Sequence, residues 1–85
     1  MENANLACEA VDLHIAKRLR QRRVHLKKTQ MQIGTSVGVR FQQIQKYECA
    51  ANRISASRLW RLARALEVPP GYFFEGLEIS PHDAI

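Results

Sequence analysis

The chain has 85 residues, enough for one small domain, and carries 13 Lys and Arg against 8 Asp and Glu, a formal charge of +5. Every basic residue lies between Lys17 and Arg64, where Glu48 is the only acidic one, so a cationic body precedes an anionic tail. This distribution favours a polyanion such as nucleic acid or an acidic membrane surface, whereas the lack of any apolar run of about 20 residues excludes a membrane span.

The residues that usually carry catalysis or bind metals form no recognisable pattern. The two cysteines, Cys8 and Cys49, are far apart and have no histidine at zinc-ligand spacing. We interpret them as free thiols in a reducing compartment, with a redox switch at Cys49 as the alternative. No glycine-rich phosphate loop or pair of carboxylates is present, and we interpret the histidines as surface residues. We therefore expect a cytoplasmic protein with no targeting segment and no cofactor, which is not an enzyme.

The first helix is expected to begin at Asp12, a good N-cap, after a flexible lead-in of residues 1–10 with little pattern. Its apolar positions share one side of the helix: Ile15, Leu19 and Leu26. Arg23 lies near this stripe, so we expect its side chain to turn inward and to need a carboxylate partner. Glu48 is the only carboxylate in the basic body and is therefore the expected partner.

Residues 29–48 predict two short helices joined by a tight turn. Thr29, followed three residues later by Gln32, forms a capping box, in which each side chain satisfies a free backbone N–H at the helix start. The missing side chain of Gly34 allows another helix to pass close, and Gly38 suits a left-handed residue just past a helix end. The inward positions of the two helices are expected to be Ile33, Val37, Ile44 and Tyr47.

The second of these helices leaves a set of residues pointing outward. They are Phe41, Gln42, Gln45 and Lys46, with Arg40 and Gln43 on the flanks. A helix fits the major groove of DNA, where glutamine pairs with adenine, lysine with guanine, and an apolar ring packs on a thymine methyl. An ordinary solvated face is the alternative for a lone helix. The tight glycine turn within a basic small domain favours nucleic-acid binding.

The next helix is expected to follow a connection over residues 49–53, in which Asn52 best tolerates a left-handed conformation. Ser55 is its predicted N-cap, and Trp60 is expected at the rim of the core rather than as a ligand platform. The core positions of this helix are expected to be Leu59, Leu62, Ala63 and Leu66.

Val68-Pro69-Pro70 ends that helix, and a last short turn or helix is predicted with Pro70 near its first position. We assign Phe74 and Leu77 to the core, and Tyr72 and Phe73 to a dimer interface. The prediction is thus a compact all-α domain of five helices over residues 11–77, followed by an acidic flexible tail over residues 78–85.

Several motifs occur together in the order and spacing of one family. They are I-x-x-R-L-R-x-x-R from Ile15, Thr29-Gln30, Gly38-Val39, the trio Ile44, Tyr47 and Glu48, N-R-I-S from Asn52, and L-x-x-L-A-x-A-L-x-V-P from Leu59. From about Ile15 to Leu77 the chain resembles the lambda-repressor-like, Cro/C1-type (XRE) helix-turn-helix domain of phage repressors and bacterial transcription regulators.

This resemblance implies a role for individual residues. The base-contact residues it implies are Phe41, Gln42 and Lys46, on a recognition helix in the major groove. The residues it implies for backbone contact or positioning are Gln30, Arg40, Gln45, Arg18 and Thr29. Gln30 is implied to bond a phosphate or a neighbouring base-contact glutamine, and Arg23 and Glu48 to form an ion pair between helices.

The chain departs from the family pattern at a few positions. Arg40 stands where Ser or Thr usually caps the recognition helix, a loss of roughly 1 kcal/mol that a phosphate contact could offset. Lys27 replaces a frequent glycine, Arg22 occupies a position that is often apolar, and Cys49-Ala50 replaces a common Arg-Gly. The alternative for Phe41 is a surface aromatic folded back on the protein.

The sequence therefore predicts a DNA-binding transcriptional regulator, a repressor that binds a palindromic operator on double-stranded DNA as a homodimer. One domain of this size makes few base contacts, so useful affinity implies two copies. The alternative is an antitoxin-type protein that binds a toxin partner as well as DNA. Non-specific nucleic-acid packaging is a third interpretation.

Overall fold

The computed structural model describes the backbone of residues 2–78 and the side chains of residues 10–78. It contains α1 (Glu2–His25), α2 (Gln30–Val37), α3 (Phe41–Glu48), α4 (Ala56–Ala65) and a 3-10 helix (Pro70–Phe74). Residues 2–78 contain no strand, so the all-α class is confirmed. The fifth element is a 3-10 helix rather than an α-helix. Residues 79–85, most of the predicted acidic tail, lie outside the described residues, and the domain boundaries stay predictions.

The predicted start of the first helix at Asp12 is wrong. The α1 helix begins at Glu2 and includes all but the first residue of the predicted lead-in. The physical reason is local, because residues 2–11 contain no Gly or Pro and are rich in Ala, so nothing stops helix propagation. Asp12 instead accepts a hydrogen bond on Oδ2 from Arg53 Nε at 3.1 Å.

None of the helices within residues 2–78 is both long and apolar enough to span a bilayer.

The predicted helix-turn-helix is confirmed over residues 29–48. Thr29 Oγ1 accepts from the backbone N–H of Gln32 at 3.0 Å, and the Gln32 side chain accepts from the Thr29 N–H at 2.8 Å. Gly38 ends α2 in the left-handed conformation with φ 78°. A Cβ built on Gly34 would lie 2.6 Å from the Val39 carbonyl oxygen, so the close neighbour is the turn and the start of α3. The missing side chain therefore sets how closely α3 follows α2.

Replacing Gly34 with Ala is expected to destabilise the domain by about 1–3 kcal/mol, because the turn backbone must move to relieve the clash. The usual gain of up to about 1 kcal/mol for Ala over Gly within a helix is smaller than this penalty. Urea denaturation measures the change. Gly71→Ala is the control, because a Cβ there meets no atom within 4 Å. A Gly34→Ala variant as stable as the wild type would show that the turn backbone can move without a measurable loss of stability.

The connection after α3 does not use Asn52 as its left-handed residue. Ala50 has a left-handed φ of 57°, whereas Asn52 does not have a positive φ. The hydrogen bonds show why, since the N–H of Ala51 returns to the Lys46 carbonyl at 2.9 Å and closes the end of α3 at Ala50. Ser55 caps α4 as predicted, accepting from the Arg58 N–H at 3.2 Å.

The core contains one buried side chain from the C-terminal segment, and it is neither of the two predicted ones. The buried hydrophobic residues that cluster are Leu19, Ile33, Val37, Ile44, Tyr47, Leu62, Ala63, Leu66 and Phe73. Phe73 is fully buried, whereas Phe74 is 43% exposed and Leu77 is half-buried. The assignment of Phe73 to a dimer interface is therefore wrong, as is that of Phe74 to the core. Trp60 is 52% exposed, further from the core than a rim position.

Two arginines complete the ends of other helices. Arg22 Nε donates to the Leu66 carbonyl at 2.8 Å, at the end of α4. Arg58 Nη1 donates to the Val37 carbonyl at 3.2 Å, at the end of α2. Because the last carbonyls of a helix lack partners within that helix, these cations tie α1 to α4 and α4 to α2. The unusual arginine at position 22 thus has a structural role.

Candidate nucleic-acid interface

The outer surface of α3 carries amides, cations and one aromatic ring. Every predicted contact residue on this helix is exposed: Arg40, Phe41, Gln42, Gln45 and Lys46. Gln43 is half-buried, and the opposite side of the helix is held in the core by Ile44 and Tyr47. Phe41 as a residue is 39% exposed, so part of its apolar surface remains accessible. No carboxylate on α3 faces outward, which makes this surface suited to a polyanion.

A largely buried ion pair holds the far end of α3. Arg23 Nε donates to Glu48 Oε2 at 2.6 Å, and Arg23 Nη2 donates to Glu48 Oε1 at 2.9 Å. The two side chains are only 13% and 3% exposed. The hydrogen bond to Glu48 raises the pKa of the Arg23 guanidinium above its ordinary value, although burial opposes this shift. This bidentate pair joins α1 to α3, as the sequence predicted.

Gln30 extends this pair to α2. Its Nε2 donates to Glu48 Oε1 at 3.1 Å, so the first residue of α2 is tied to the last residue of α3. The resemblance implied a phosphate or a base-contact glutamine as the partner of Gln30, and in the free protein the partner is Glu48. With Nε2 engaged, the Gln30 amide is oriented by the ion pair rather than by solvent. The sequence predicted the Arg23–Glu48 pair but gave no signal for the bond from Gln30 to Glu48.

The structure gives Arg18 a different role from the predicted contact with the DNA backbone. Its Nε donates to the Tyr72 carbonyl at 2.8 Å, its Nη2 lies 3.0 Å from Glu75 Oε1, and its guanidinium stacks 3.6 Å from the centre of the Tyr72 ring. His14 Nε2 lies 2.7 Å from the Glu75 carbonyl oxygen. These contacts fasten the 3-10 helix to α1. The other residues predicted to contact the DNA backbone lie elsewhere. Thr29 and Gln30 are at the start of α2, Arg40 is at the start of α3, and Gln45 is within α3.

Arg40 is the N-cap of α3 and makes no capping hydrogen bond with its side chain. The exposed Arg40 side chain and the free N–H groups of the first turn therefore belong to the same end of the helix, where an anion would be stabilised. Thr29 uses its hydroxyl for the α2 cap. Within the described residues, no cluster of three potential metal ligands occurs.

Comparison with known proteins places this geometry in a family. A family profile described as Helix-turn-helix matches residues 19–73. The P22 c2 repressor protein, solved in complex with synthetic operator 9T, is 32% identical, with a TM-score of 0.68 over 73% of this chain and 94% of that chain. The restriction-modification controller protein C.AhdI from Aeromonas hydrophila, 23% identical, has the same fold, with a TM-score of 0.74 over 78% of this chain and 96% of that chain.

Bacterial relatives point the same way. An uncharacterized transcriptional regulator in the ATPase CF(0) region of Rhodospirillum rubrum is 56% identical over 80% of this chain and 63% of that protein. The uncharacterized regulator y4wC of Sinorhizobium fredii is 50% identical over 78% of this chain and 46% of that protein. The chain spans about half the length of the curated relatives it matches. The chain therefore belongs to the Cro/C1-type (XRE) helix-turn-helix family, a family of transcriptional regulators with the lambda-repressor-like fold, not of enzymes.

Proposed function

We propose that this protein is a sequence-specific, double-stranded DNA-binding repressor that acts as a homodimer on a palindromic operator. The observation that carries the proposal is the exposed surface of α3, with two glutamines, a lysine, an arginine and a phenylalanine and no outward carboxylate. A helix of this composition can read base edges in the major groove. The relationship to a repressor solved on a synthetic operator supports the same conclusion.

The proposed complex divides the surface between two tasks. Phe41, Gln42 and Lys46 contact base edges, while Arg40, Gln45 and the start of α2 contact phosphates. Helix-turn-helix dimers place their recognition helices about 34 Å apart, so the half-sites are expected about 10 bp apart. Occupancy of such an operator blocks transcription without a further surface for the polymerase, so repression is the simpler outcome.

Gln42→Ala is expected to relax base preference at one position of each half-site, at a cost of about 1–3 kcal/mol per lost bidentate contact. Binding to the selected operator and to operators with each base changed measures the effect. Gln21→Ala is the matched control, because Gln21 is also exposed but lies on α1. Equal weakening on every sequence would remove Gln42 from the residues that read bases.

Arg40→Ala is expected to weaken binding to all sequences and to lower the slope of log affinity against log salt by about 1, because one phosphate contact is lost. Titration at several salt concentrations, on operator and on scrambled DNA, gives this slope. The Gln42→Ala variant is the comparison, since it should leave the slope unchanged. An Arg40→Ala variant that loses affinity on one sequence alone would indicate base reading.

The experiment that tests the proposal as a whole is selection of bound duplexes from a random DNA pool, followed by salt titration on the winner. A palindromic winner, preferred about 10³-fold or more over scrambled DNA, supports a dimeric operator-binding protein. Weak, steeply salt-dependent binding without a preferred sequence would contradict it and favour packaging. Specific binding only after a co-expressed protein partner is added would favour the antitoxin-type alternative.

A further inference from the structure

A groove lies between the end of α2 and the outer side of α4. We call it the α2–α4 groove, and its lining residues are Ser36, Val37, Trp60, Arg61, Arg64 and Ala65. Trp60 is 52% exposed, and Ser36, Arg61 and Arg64 are exposed as well. Tryptophan and arginine are the residues that contribute most often to the binding energy of protein interfaces. The composition of the α2–α4 groove is therefore that of a binding surface.

The α2–α4 groove is cationic. Neither Arg61 nor Arg64 forms an ion pair with any carboxylate of residues 10–78. Glu67, the nearest carboxylate along the chain, does not line the groove, and none of the described residues that do line it is acidic. Two cations without a carboxylate partner make this surface complementary to an anionic one.

Arg64 lies over Trp60, with its guanidinium carbon 5.0 Å from the centre of the indole ring. A cation–π contact of this kind holds the guanidinium in place, while its N–H groups point outward in the guanidinium plane. These N–H groups can bind a carboxylate through two parallel hydrogen bonds. The pair therefore presents an apolar ring beside an oriented donor for a carboxylate.

A second groove extends this surface along α2. It shares Ser36 with the α2–α4 groove, and its lining includes Lys28 and Met31. Met31 is 61% exposed, and again none of the described lining residues is acidic. An exposed apolar side chain and a cation thus occur in both of two adjoining grooves. Such a track suits a peptide segment with several side chains better than a compact small molecule.

Duplex DNA is a poorer match for the α2–α4 groove than a protein segment is. Outside its grooves a duplex presents phosphates and sugars, so it offers little apolar surface to an exposed indole. None of the residues proposed to contact DNA lines the α2–α4 groove. The combination of tryptophan with two arginines therefore favours a partner that supplies both apolar and acidic side chains.

We propose that the α2–α4 groove binds an acidic segment of a partner protein. A large apolar residue of that segment packs on Trp60, and its carboxylates bond Arg61 and Arg64. The interaction goes beyond the proposed function, because it uses none of the residues assigned to DNA. It leaves the exposed side chains of α3 accessible, so the operator and the partner bind the same molecule together.

Trp60 is the single tryptophan of the chain, so its fluorescence reports on the α2–α4 groove alone. The probe is selected from a displayed library of random peptides without tryptophan, and the strongest binder is then synthesised. We expect a peptide rich in Asp and Glu with at least one large apolar residue. Its binding should shift the Trp60 emission to shorter wavelength, reduce quenching by acrylamide, and weaken as salt is raised.

A charge reversal separates the groove from the net charge of the protein. Arg61→Glu with Arg64→Glu is expected to weaken binding of the acidic peptide at least roughly tenfold, and to bind the same peptide with Lys in place of Asp and Glu. Lys17→Glu with Arg20→Glu is the matched control, because both cations are exposed on α1 and the net charge changes equally. Fluorescence anisotropy of labelled peptide measures the dissociation constants, and thermal melts check that each variant folds.

Trp60→Ala is expected to weaken peptide binding at least about tenfold, since a central tryptophan is removed. Phe74→Ala is its control, because Phe74 is also an exposed aromatic residue but lies on the 3-10 helix. Failure to enrich any peptide, enrichment of peptides that are not acidic, or equal binding by the groove and control variants would overturn the proposal.

Two further outcomes would assign the groove to a different occupant and overturn the proposal. Protection of Trp60 from acrylamide by duplex or single-stranded DNA would indicate a nucleic-acid surface. Loss of dimerisation in Arg61→Glu with Arg64→Glu, measured by sedimentation equilibrium, would indicate a second copy of this chain. A wild type that selects no operator, yet binds the acidic peptide, would contradict the proposed function and leave the groove assignment intact.

Discussion

Replacing Phe73 with Ala is expected to destabilise the domain by about 3–5 kcal/mol, because a fully buried ring is lost and a cavity remains in its place. Phe73 is the largest fully buried side chain of the described residues and lies in the same cluster as Leu19, Leu62 and Leu66. A domain of this size has a total stability of about 5–10 kcal/mol, so the substitution is expected to remove about a third of that stability or more.

The neighbouring ring gives the control for this prediction. Phe74 is 43% exposed, and Phe74→Ala is expected to change the free energy of unfolding by less than about 1 kcal/mol. Urea denaturation followed by circular dichroism measures both variants under identical conditions. If Phe74→Ala is the more damaging substitution, the orientation of the 3-10 helix is the reverse of that described.

Glu48→Ala is expected to cost about 3–5 kcal/mol, because it leaves the Arg23 guanidinium buried without its carboxylate. The Glu48 side chain is 3% exposed and accepts hydrogen bonds from both Arg23 and Gln30. Exposed ion pairs contribute only about 0.2–1 kcal/mol, so a loss in that range would show that the pair is solvated. The free energy of unfolding in urea distinguishes the two outcomes.

A double substitution distinguishes the net contribution of the ion pair from the cost of leaving one charge unpaired. Arg23→Met with Glu48→Leu removes both charges and fills the space with apolar atoms, so the loss should be smaller than that of Glu48→Ala alone. Arg23 also donates to the Lys28 carbonyl at 2.9 Å, a bond that this double variant loses. A double variant less stable than Glu48→Ala would mean that the network stabilises the domain beyond avoiding an unpaired charge.

Local signals determined the helix-turn-helix before any tertiary contact was known. The capping box at Thr29 and the left-handed Gly38 act within a few residues, so their sequence is sufficient to predict their geometry. The apolar spacing of Ile44 and Tyr47 determined which side of α3 faces the core, and hence which residues are exposed. The Arg23–Glu48 pair also followed from sequence, because a single carboxylate was available in the basic body.

The sequence predicted the ends of helices less well where no residue pattern requires a helix to stop. Asp12 resembles an N-cap, yet helix-forming residues precede it without interruption, and α1 continues to Glu2. In the same way, Asn52 tolerates a left-handed conformation, but the hydrogen bonds that close α3 place that conformation at Ala50. A residue that permits a conformation does not require it, so composition alone could not locate either feature.

The sequence by itself thus determined the all-α class, the helix-turn-helix and the exposed surface of α3, because each depends on contacts between residues close in the chain. Only the tertiary structure decided which aromatic ring of the last segment enters the core, since three adjacent aromatic residues in a five-residue 3-10 helix form no apolar stripe that would mark one face as the inward one. It also decided two sets of hydrogen-bond partners: Arg18 bonds Tyr72 and Glu75, and Gln30 bonds Glu48. These long side chains find partners distant in sequence, and their choice depends on how the helices pack together.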